Sequence, residues 1–228
     1  MDYRETYARH AERYDSLVAA EDSEQRLLPA LQSLAKLKGA RVLEVGVGTG
    51  RLTRLLAPLA AHITGVEREP GMLAVARRHL AAYPSCRIVL GELDALPVAA
   101  GSFDVALAGW VFGQLRQQRR ADWRSHIGRG LAELQRALRP RGTLIVIEAL
   151  GTGFTEPAPP SPELADYYAW LEREQGFTRR ALRTDYAFAS VARAAELTRF
   201  FFGEELARRI EEEALTQLPE CTGIWWRT

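Results

Sequence analysis

Three glycines at alternate positions form the most distinctive chemical pattern in the chain. Gly46, Gly48 and Gly50 follow a short apolar run over residues 41–45, and leucines spaced three and four apart follow over 52–59. An apolar run, a glycine turn and a helical pattern in this order are typical of the nucleotide-binding corner of a doubly wound sheet. Glycine lets the backbone turn tightly and lets a ligand approach without an intervening side chain. The pattern therefore predicts a nucleotide-like ligand at this turn.

An acidic residue at the end of the next apolar run supports this prediction. Residues 61–67 form that run, and Glu67 closes it. It follows Gly46 by about 20 positions, where such folds place a carboxylate that accepts hydrogen bonds from ribose hydroxyls. Glu67 therefore predicts binding of a nucleoside without choosing among cofactors that carry one.

The spacing of the glycines separates two classes of cofactor. The dinucleotide fingerprint G-x-G-x-x-G would need a third glycine at position 51, which is Arg51. With Glu44 before the turn, the chain reads instead acidic-x-G-x-G-x-G. This pattern resembles the first motif of the class I S-adenosylmethionine-dependent methyltransferases. An NAD(P)-dependent oxidoreductase is the less favoured alternative, because Arg51 argues against it.

Two later segments resemble the same family. Residues 91–97 are similar to its Gly-Asp-Ala-x-x-Leu-Pro segment, with Glu92 in place of the aspartate. Residues 138–142 are similar to its Leu-Arg-Pro-Gly-Gly turn, with Arg141 replacing a glycine. A turn that needs positive φ at only one position would tolerate that replacement. The resemblance covers about residues 40–150 by motif and the whole chain by the order of elements.

The resemblance implies S-adenosylmethionine as cofactor, with S-adenosylhomocysteine as product. It implies that Glu67 binds the ribose, Met72 flanks the adenine, the Glu92 acid accepts from the adenine amino group, and the Leu93 N–H meets the ring. It also implies that Tyr14 reaches the methionine part. The full predicted cofactor set is Glu44, Gly46, Gly48, Thr49, Gly50, Glu67, Arg68, Met72, Glu92, Leu93, Ala108 and Tyr14.

An amphipathic helix is predicted over residues 3–19. Tyr3, Tyr7, His10 and Tyr14 would share one face of it. This face either packs on the domain or forms a lid over the cofactor.

No conspicuous catalytic base is present, and the catalytic residue stays unknown; Tyr14, His10 and Trp110 are the weak candidates. Relatives in the resembling family often carry histidine near positions 113 and 114, where this chain has Gly113 and Gln114. Holding donor and acceptor in line can alone supply effective molarities of about 10⁵ M or more.

The order of elements predicts a three-layer α/β/α sandwich. The resemblance implies a Rossmann-like, seven-stranded, mostly parallel sheet with an antiparallel last strand. We expect a single domain over 1–228, comprising an N-terminal helical lid (1–38), a cofactor-binding core (39–150) and substrate-side elements (151–228). Residues 183–188 are predicted as the sixth strand, 190–215 as a helical insert and 222–227 as the last strand. The aromatic residues of 151–228 either line a substrate pocket or pack in the core.

The composition of the chain gives no indication of a nucleic-acid, membrane or metal partner. The net charge is +1, so no overall field favours nucleic acid or a membrane. Arginines over residues 116–141 are interpreted as the solvated face of a helix whose apolar face is Leu131, Leu134 and Leu138. Two cysteines and an N-terminus without a signal-peptide pattern indicate the cytoplasm, and no residues have metal-ligand spacing.

The expected acceptor is a small molecule, since the Asn/Asp-Pro-Pro-Tyr/Phe signature of nucleic-acid base methylation is absent. A non-catalytic S-adenosylmethionine-binding regulatory protein is a further alternative.

Overall fold

A seven-stranded sheet forms the centre of the computed structural model, which describes residues 7–119 and 121–228. Tyr3, and Arg120 of the arginine-rich stretch 116–141, lie outside the described residues. The strands are β1 Arg41–Val45, β2 His62–Glu67, β3 Cys86–Leu90, β4 Phe103–Gly109, β5 Leu138–Thr152, β6 Thr178–Arg183 and β9 Glu220–Arg227. Their order is β3-β2-β1-β4-β5-β9-β6. Strand β9 runs antiparallel to both of its neighbours, which confirms the predicted sheet.

Successive residues of the central strands face two different cores. Val42 packs in one buried cluster and Leu43 in the other, and Leu144 and Ile145 divide in the same way. Because side chains alternate along a strand, a strand covered on both faces must be apolar throughout. This requirement explains the continuous apolar runs in the sequence and confirms the predicted α/β/α layers.

Helices cover both faces of the sheet. They are α1 Ala11–Val18, α2 Leu27–Leu34, α3 Arg51–Leu56, α4 Pro70–His79, α5 Phe112–Gln118, α6 Trp123–Ala137, α7 Pro162–Arg173, α8 Val191–Phe201 and α9 Glu204–Glu212. Helices α6 and α7 contribute to one core, and α2 and α3 to the other. None of these described helices is long and apolar enough to cross a membrane. Within residues 7–119 and 121–228, no group of three or more His, Cys, Asp or Glu side chains could hold a metal ion.

The predicted N-terminal helix is interrupted at His10. Residues 7–9 are helical, His10 has φ −128°, and α1 starts at Ala11. The prediction that His10 shares a face with Tyr7 and Tyr14 is therefore wrong. The rings of Tyr7 and Tyr14 meet edge-on at 5.2 Å, whereas the exposed His10 ring turns outward against Phe200.

The predicted sixth strand at residues 183–188 is also wrong. The sixth strand of the sheet is β6, and it ends at Arg183. Asp185 turns the chain away, because its carboxylate accepts from the Glu220 N–H at 3.0 Å and pairs with Arg183. Strand β6 is an edge strand that is mostly exposed and rich in arginine, so it lacks the alternation of apolar residues that marks a strand in sequence.

The predicted helical insert is present as α8 and α9, and it forms a small core of its own. Strands β7 Tyr186–Ala187 and β8 Gln217–Leu218 pair as a separate two-stranded sheet beside these helices. Tyr186, Leu197, Ile210 and Leu218 are buried together, and Leu17 of α1 packs into the same cluster. The insert therefore fixes the position of α1.

The arginines of residues 116–141 mostly form the predicted solvated face. Arg124 and Arg136, for example, are exposed and pair with acidic side chains. Two details differ from the prediction. Leu138 starts β5 instead of continuing the helix, and Arg116 is buried with its guanidinium 4.9 Å from the centre of the Trp123 ring.

Candidate functional site

The glycine turn has the geometry that only glycine adopts easily. Gly46, Gly48 and Gly50 have φ of +67°, +60° and +91°. A Cβ atom at Gly46 would lie 2.2 Å from a methyl carbon of Val111, so no other residue fits there without a shift. The turn connects β1 to α3 at the carboxyl end of the sheet, where ligands bind in this class of fold.

Glu67 lies beside this turn at the end of β2. Its carboxylate accepts a hydrogen bond of 2.8 Å from the Gly48 N–H and another of 2.8 Å from the Glu69 N–H. Burial raises the pKa of Glu67, and the backbone N–H groups oppose that rise. A carboxylate oxygen accepts more than one hydrogen bond, so Glu67 retains capacity for ligand hydroxyls.

A cleft of about 800 Å³, counted to its open mouth, lies over the turn; we call it the cofactor cleft. Its lining includes part of the predicted cofactor set, namely Gly46, Gly48, Glu67, Arg68, Met72, Leu93 and Tyr14. It also includes residues outside that set, among them Tyr7, Glu69, Val111, Gln114 and Gln118. Those from residues 111–118 belong to α5 and its N-cap, which follow the carboxyl end of β4.

The remaining predicted residues lie near the cleft but outside its lining. Glu44 is buried beneath the turn, where it accepts from the Thr53 hydroxyl at 2.7 Å, and burial raises its pKa to about 8. Thr49, Gly50 and Ala108 contribute backbone to the turn and to β4, and none of them lines the cleft. The side chain of Glu92 is exposed and does not line the cleft, and its adenine contact stays a prediction.

Helix α1 covers the cofactor cleft. Its Tyr14 lines the cleft, while the neighbouring Asp15 faces α3 and α4, with His79 at 3.5 Å and Arg54 at 3.6 Å. Before α1, the Tyr7 hydroxyl accepts a hydrogen bond from the Gln114 amide. Burial raises the pKa of Tyr14 well above its ordinary value, so its hydroxyl stays protonated and able to donate.

A second cavity of about 910 Å³, counted in the same way, opens beside the cleft; we call it the acceptor cavity. Tyr14, Trp110 and Gln114 line both spaces. Trp110 thus lies in the wall that the two spaces share. It has φ +56°, and its N–H donates to the Ile147 carbonyl at 2.7 Å.

Glu148 contributes a buried carboxyl group to the acceptor cavity from β5. The Gly113 N–H donates to its Oε1 at 2.8 Å. Burial raises the pKa of Glu148 to about 8, although the backbone N–H groups of Gly113 and Phe112 oppose that rise. The sequence reasoning missed this residue, although an acid at the carboxyl end of a central strand was a usable signal.

Arg51, Glu21 and Tyr186 form a buried polar cluster in the same cavity. The Arg51 guanidinium lies 2.6 Å from the Glu21 carboxylate and 4.2 Å from the centre of the Trp110 ring. The Tyr186 hydroxyl donates to Glu21 at 3.0 Å. Burial opposes the charge on Arg51, but Glu21 outweighs that effect and raises the arginine pKa.

Glu220 lies at the start of β9 and is 2% exposed. Among the described residues, its Oε2 has no hydrogen-bond partner, and neither has Nη2 of Arg51. Burial, together with the charge of Glu21, raises the pKa of Glu220 well above its ordinary value. The acceptor cavity therefore contains two unsatisfied polar atoms that a ligand could satisfy.

Comparison with known proteins identifies a family over part of the chain. A family described as "Methyltransferase domain" matches residues 43–146, which include the glycine turn, Glu67 and most of β5. This match supports the resemblance to the class I S-adenosylmethionine-dependent methyltransferases. The chain shares its fold with a solved S-adenosylmethionine-dependent methyltransferase from Aquifex aeolicus, at a TM-score of 0.57 and 16% identity over 90% of this chain and 93% of that one.

Two curated relatives carry functional names. The chain is 29% identical over 170 residues to a malonyl-(acyl-carrier protein) O-methyltransferase from Serratia marcescens, and the match covers 74% of this chain and 58% of that one. It is 32% identical over 155 residues to a demethylmenaquinone methyltransferase from Symbiobacterium thermophilum, and this match covers 64% of this chain and 58% of that one. The chain thus spans somewhat more than half the length of these relatives.

Proposed function

We propose that the chain transfers a methyl group from S-adenosylmethionine to a small-molecule acceptor bound in the acceptor cavity. One observation carries this proposal. The cofactor cleft and the acceptor cavity are separate spaces that meet at Tyr14, Trp110 and Gln114. A methyl transfer needs such a junction, because donor and acceptor must approach each other in line.

The residues of the cleft fit the proposed donor. Gly46 and Gly48 have no side chain, so they leave the backbone of the turn open to a ligand. A Cβ at Gly46 would collide with Val111. Glu67 offers carboxylate oxygens to the ribose hydroxyls, and Met72 and Leu93 supply apolar walls for an adenine ring. Tyr14 offers a protonated hydroxyl from above. We propose these residues as the cofactor-binding set.

When bound, S-adenosylmethionine supplies a sulfonium whose methyl group accepts an electron pair from the acceptor while the carbon–sulfur pair stays on sulfur. The chain contributes mainly position and exclusion of water. Trp110 and Tyr14 line the junction, and the ion pair of Arg51 and Glu21 lies in the lining on the acceptor side. No base has to generate the electrophile, which agrees with the absence of histidine at 113 and 114.

The names of the relatives support a small or carrier-borne acceptor. One acts, by its name, on malonyl-(acyl-carrier protein), and others act on demethylmenaquinone. Since the chain spans somewhat more than half of their length, their acceptors are guides to a class only. Single-domain organisation and a cytoplasmic location stay predictions from the sequence.

Calorimetry and single-turnover assays test the proposal. We expect S-adenosylmethionine and S-adenosylhomocysteine to bind and NAD not to bind, and Glu67→Ala to weaken both complexes by at least about tenfold. Mass spectrometry after incubation with the donor and an acceptor library then detects methyl transfer as an added methyl group. Binding of NAD alone would show an oxidoreductase, and donor binding without a methylated product would favour the regulatory alternative.

A further inference from the structure

The acceptor cavity has an excess of acidic groups. Among the described residues that line it, the charged ones are Glu21, Glu148, Glu220 and Arg51. Arg51 is already paired with Glu21 at 2.6 Å. Glu148 and Glu220 are each less than 4% exposed, and no basic side chain of residues 7–119 or 121–228 forms a salt bridge with either of them. The charge of Arg51 acts on Glu220, but burial and Glu21 outweigh it. A ligand that entered this cavity would therefore meet two buried carboxyl groups that form no salt bridge.

Glu220 is the carboxyl group with an unsatisfied oxygen. Backbone N–H groups of α5 hold the carboxyl group of Glu148, at 2.8 Å in the case of Gly113. The carboxyl group of Glu220 has a side-chain hydrogen bond with Thr152, and its Oε2 has none. A buried oxygen without a partner costs about 1–3 kcal/mol, so a ligand that satisfies it gains affinity.

We propose that the methyl acceptor carries a protonated amine on an apolar body, and that Oε2 of Glu220 binds this amine. The inference rests on the proposed function, and it names the class of its acceptor.

The walls of the cavity suit an organic cation. Rings of Tyr168, Tyr186 and Phe202 line the cavity around Glu220, and aromatic faces attract ammonium groups. Leu17, Leu164 and the same rings form apolar surface for the rest of the ligand. A charge-assisted hydrogen bond from an ammonium to a carboxylate is about twice as strong as a neutral one.

The free Nη2 of Arg51 raises a competing possibility, a carboxylate acceptor. Glu21 already neutralises this arginine, and a carboxylate ligand would add a second negative charge beside that of Glu21. Burying an unpaired charge is costly, whereas a neutral oxygen on the ligand can accept from Nη2 without that cost. We therefore assign Nη2 to a carbonyl or hydroxyl oxygen of the amine ligand.

Matched probes distinguish these chemistries. Calorimetry on the protein saturated with S-adenosylhomocysteine would compare 2-phenylethylamine, 2-phenylethanol and 3-phenylpropanoate, together with n-alkylamines from ethyl to octyl. We expect at least one amine to bind about tenfold more tightly than its neutral counterpart. Equal or tighter binding of the alcohol or the carboxylate would overturn the inference, and so would failure of every amine to bind.

Variants locate the amine. We expect Glu220→Gln to weaken amine binding by at least about tenfold and to change alcohol binding by less than about twofold. Glu212→Gln, on the exposed surface of α9, is the matched control and should leave amine binding unchanged. An equal loss of amine and alcohol binding in Glu220→Gln would indicate a structural role and contradict the inference.

Proton release gives a second, independent measurement. The carboxyl group of Glu220 faces Glu21, Arg51, Asp185 and Tyr168, and burial together with the charge of Glu21 raises its pKa and so favours its protonated form before the amine binds. A bound ammonium displaces that proton, so calorimetry in two buffers of different ionisation enthalpy should show proton release in the native protein and not in Glu220→Gln. Loss of S-adenosylhomocysteine binding would refute the proposed function itself, whereas normal binding of that product without an amine response refutes only this inference.

Discussion

The carboxyl group of Glu148 reaches from β5 into the first turn of α5, where its Oε1 lies 2.8 Å from the backbone nitrogen of Gly113. The carboxyl group fits there because residue 113 has no side chain. A Cβ atom at this position would lie 2.8 Å from Oε2 of Glu148. A buried acid from β5 thus occupies the space beside the acceptor cavity that a side chain of α5 would otherwise fill.

Gly113→Ala should destabilise the protein, because the added methyl group overlaps Glu148. Overpacking of this kind costs about 1–3 kcal/mol in the free energy of unfolding, measured by urea denaturation. Gly128→Ala in α6 is the matched control, since a Cβ there has open space and alanine favours a helix by about 0.5–1 kcal/mol. Equal losses in the two variants would show that Glu148 does not restrict position 113.

Stability should fall as the pH rises towards 8. Glu148 and Glu44 have pKa values of about 8 in the folded protein, above the ordinary value of 4.5, so between these limits the folded state binds more protons than the unfolded state. The stabilisation that these carboxyl groups contribute is complete below pH 4.5, and it is lost as the pH rises through their pKa in the folded protein. Between about pH 5 and 7.5, the free energy of unfolding of Glu148→Gln should fall by about 2–3 kcal/mol less than that of the native protein. Urea denaturation at each pH measures both. Parallel curves for the two proteins would contradict this assignment.

Glu92 should contribute little to cofactor affinity, in contrast to Glu67. The side chain of Glu92 is exposed, whereas Glu67 is 6% exposed and lines the cofactor cleft. We expect Glu92→Gln to change the dissociation constant of S-adenosylhomocysteine by less than about twofold, and Glu67→Gln to raise it by at least about tenfold. Isothermal calorimetry measures both. A tenfold effect at Glu92 would restore the adenine contact that the resemblance implied.

Removing Arg51 alone should be more damaging than removing its whole ion pair. Arg51→Met leaves the buried carboxylate of Glu21 without its cation, and breaking a buried pair costs about 3 kcal/mol. The double variant Arg51→Met, Glu21→Gln should recover part of this loss, because the amide still accepts from the Tyr186 hydroxyl. Urea denaturation of the two single variants and the double variant gives the coupling energy. A coupling near zero would show that the pair is not important for stability.

Arg141→Gly should stabilise the protein. Arg141 occupies the turn before the paired part of β5 with φ +65°, a conformation that costs a residue with a side chain about 1 kcal/mol relative to glycine. Arg141→Ala keeps the unfavourable backbone and serves as the control for loss of the guanidinium. Thermal unfolding of the three proteins should place the glycine variant highest. Equal melting temperatures for the glycine and alanine variants would contradict the argument.

The cofactor half of the molecule was predictable because its signals are local in sequence. The glycine turn and Glu67 lie in consecutive βα units, and the strand order brings them together without distant contacts. Arg141 was predicted to tolerate one positive φ, and it has that conformation. The continuous apolar strands followed from burial on both faces of the sheet.

The acceptor half was not predictable, because its polar residues are far apart in sequence. Glu21, Arg51, Glu148 and Glu220 come from four separate segments, and each of them alone resembles a surface residue. Only the tertiary structure shows that they share one cavity. The break at His10 and the early end of β6 were missed for a similar reason, since long-range contacts to Phe200 and from Glu220 determine the conformation there.

The division of the lining between two parts of the chain has an evolutionary consequence. The cofactor cleft is built mainly from residues 45–118, whereas Glu148, Tyr168, Phe202 and Glu220 belong to the acceptor cavity alone. Substitutions in the later segments can therefore change the acceptor without altering the donor site. Helix α1 and the start of α5 contribute to both linings, so changes there affect both ligands at once. New acceptor preferences should arise in the C-terminal third of the chain, with α1 and α5 the slowest elements to diverge.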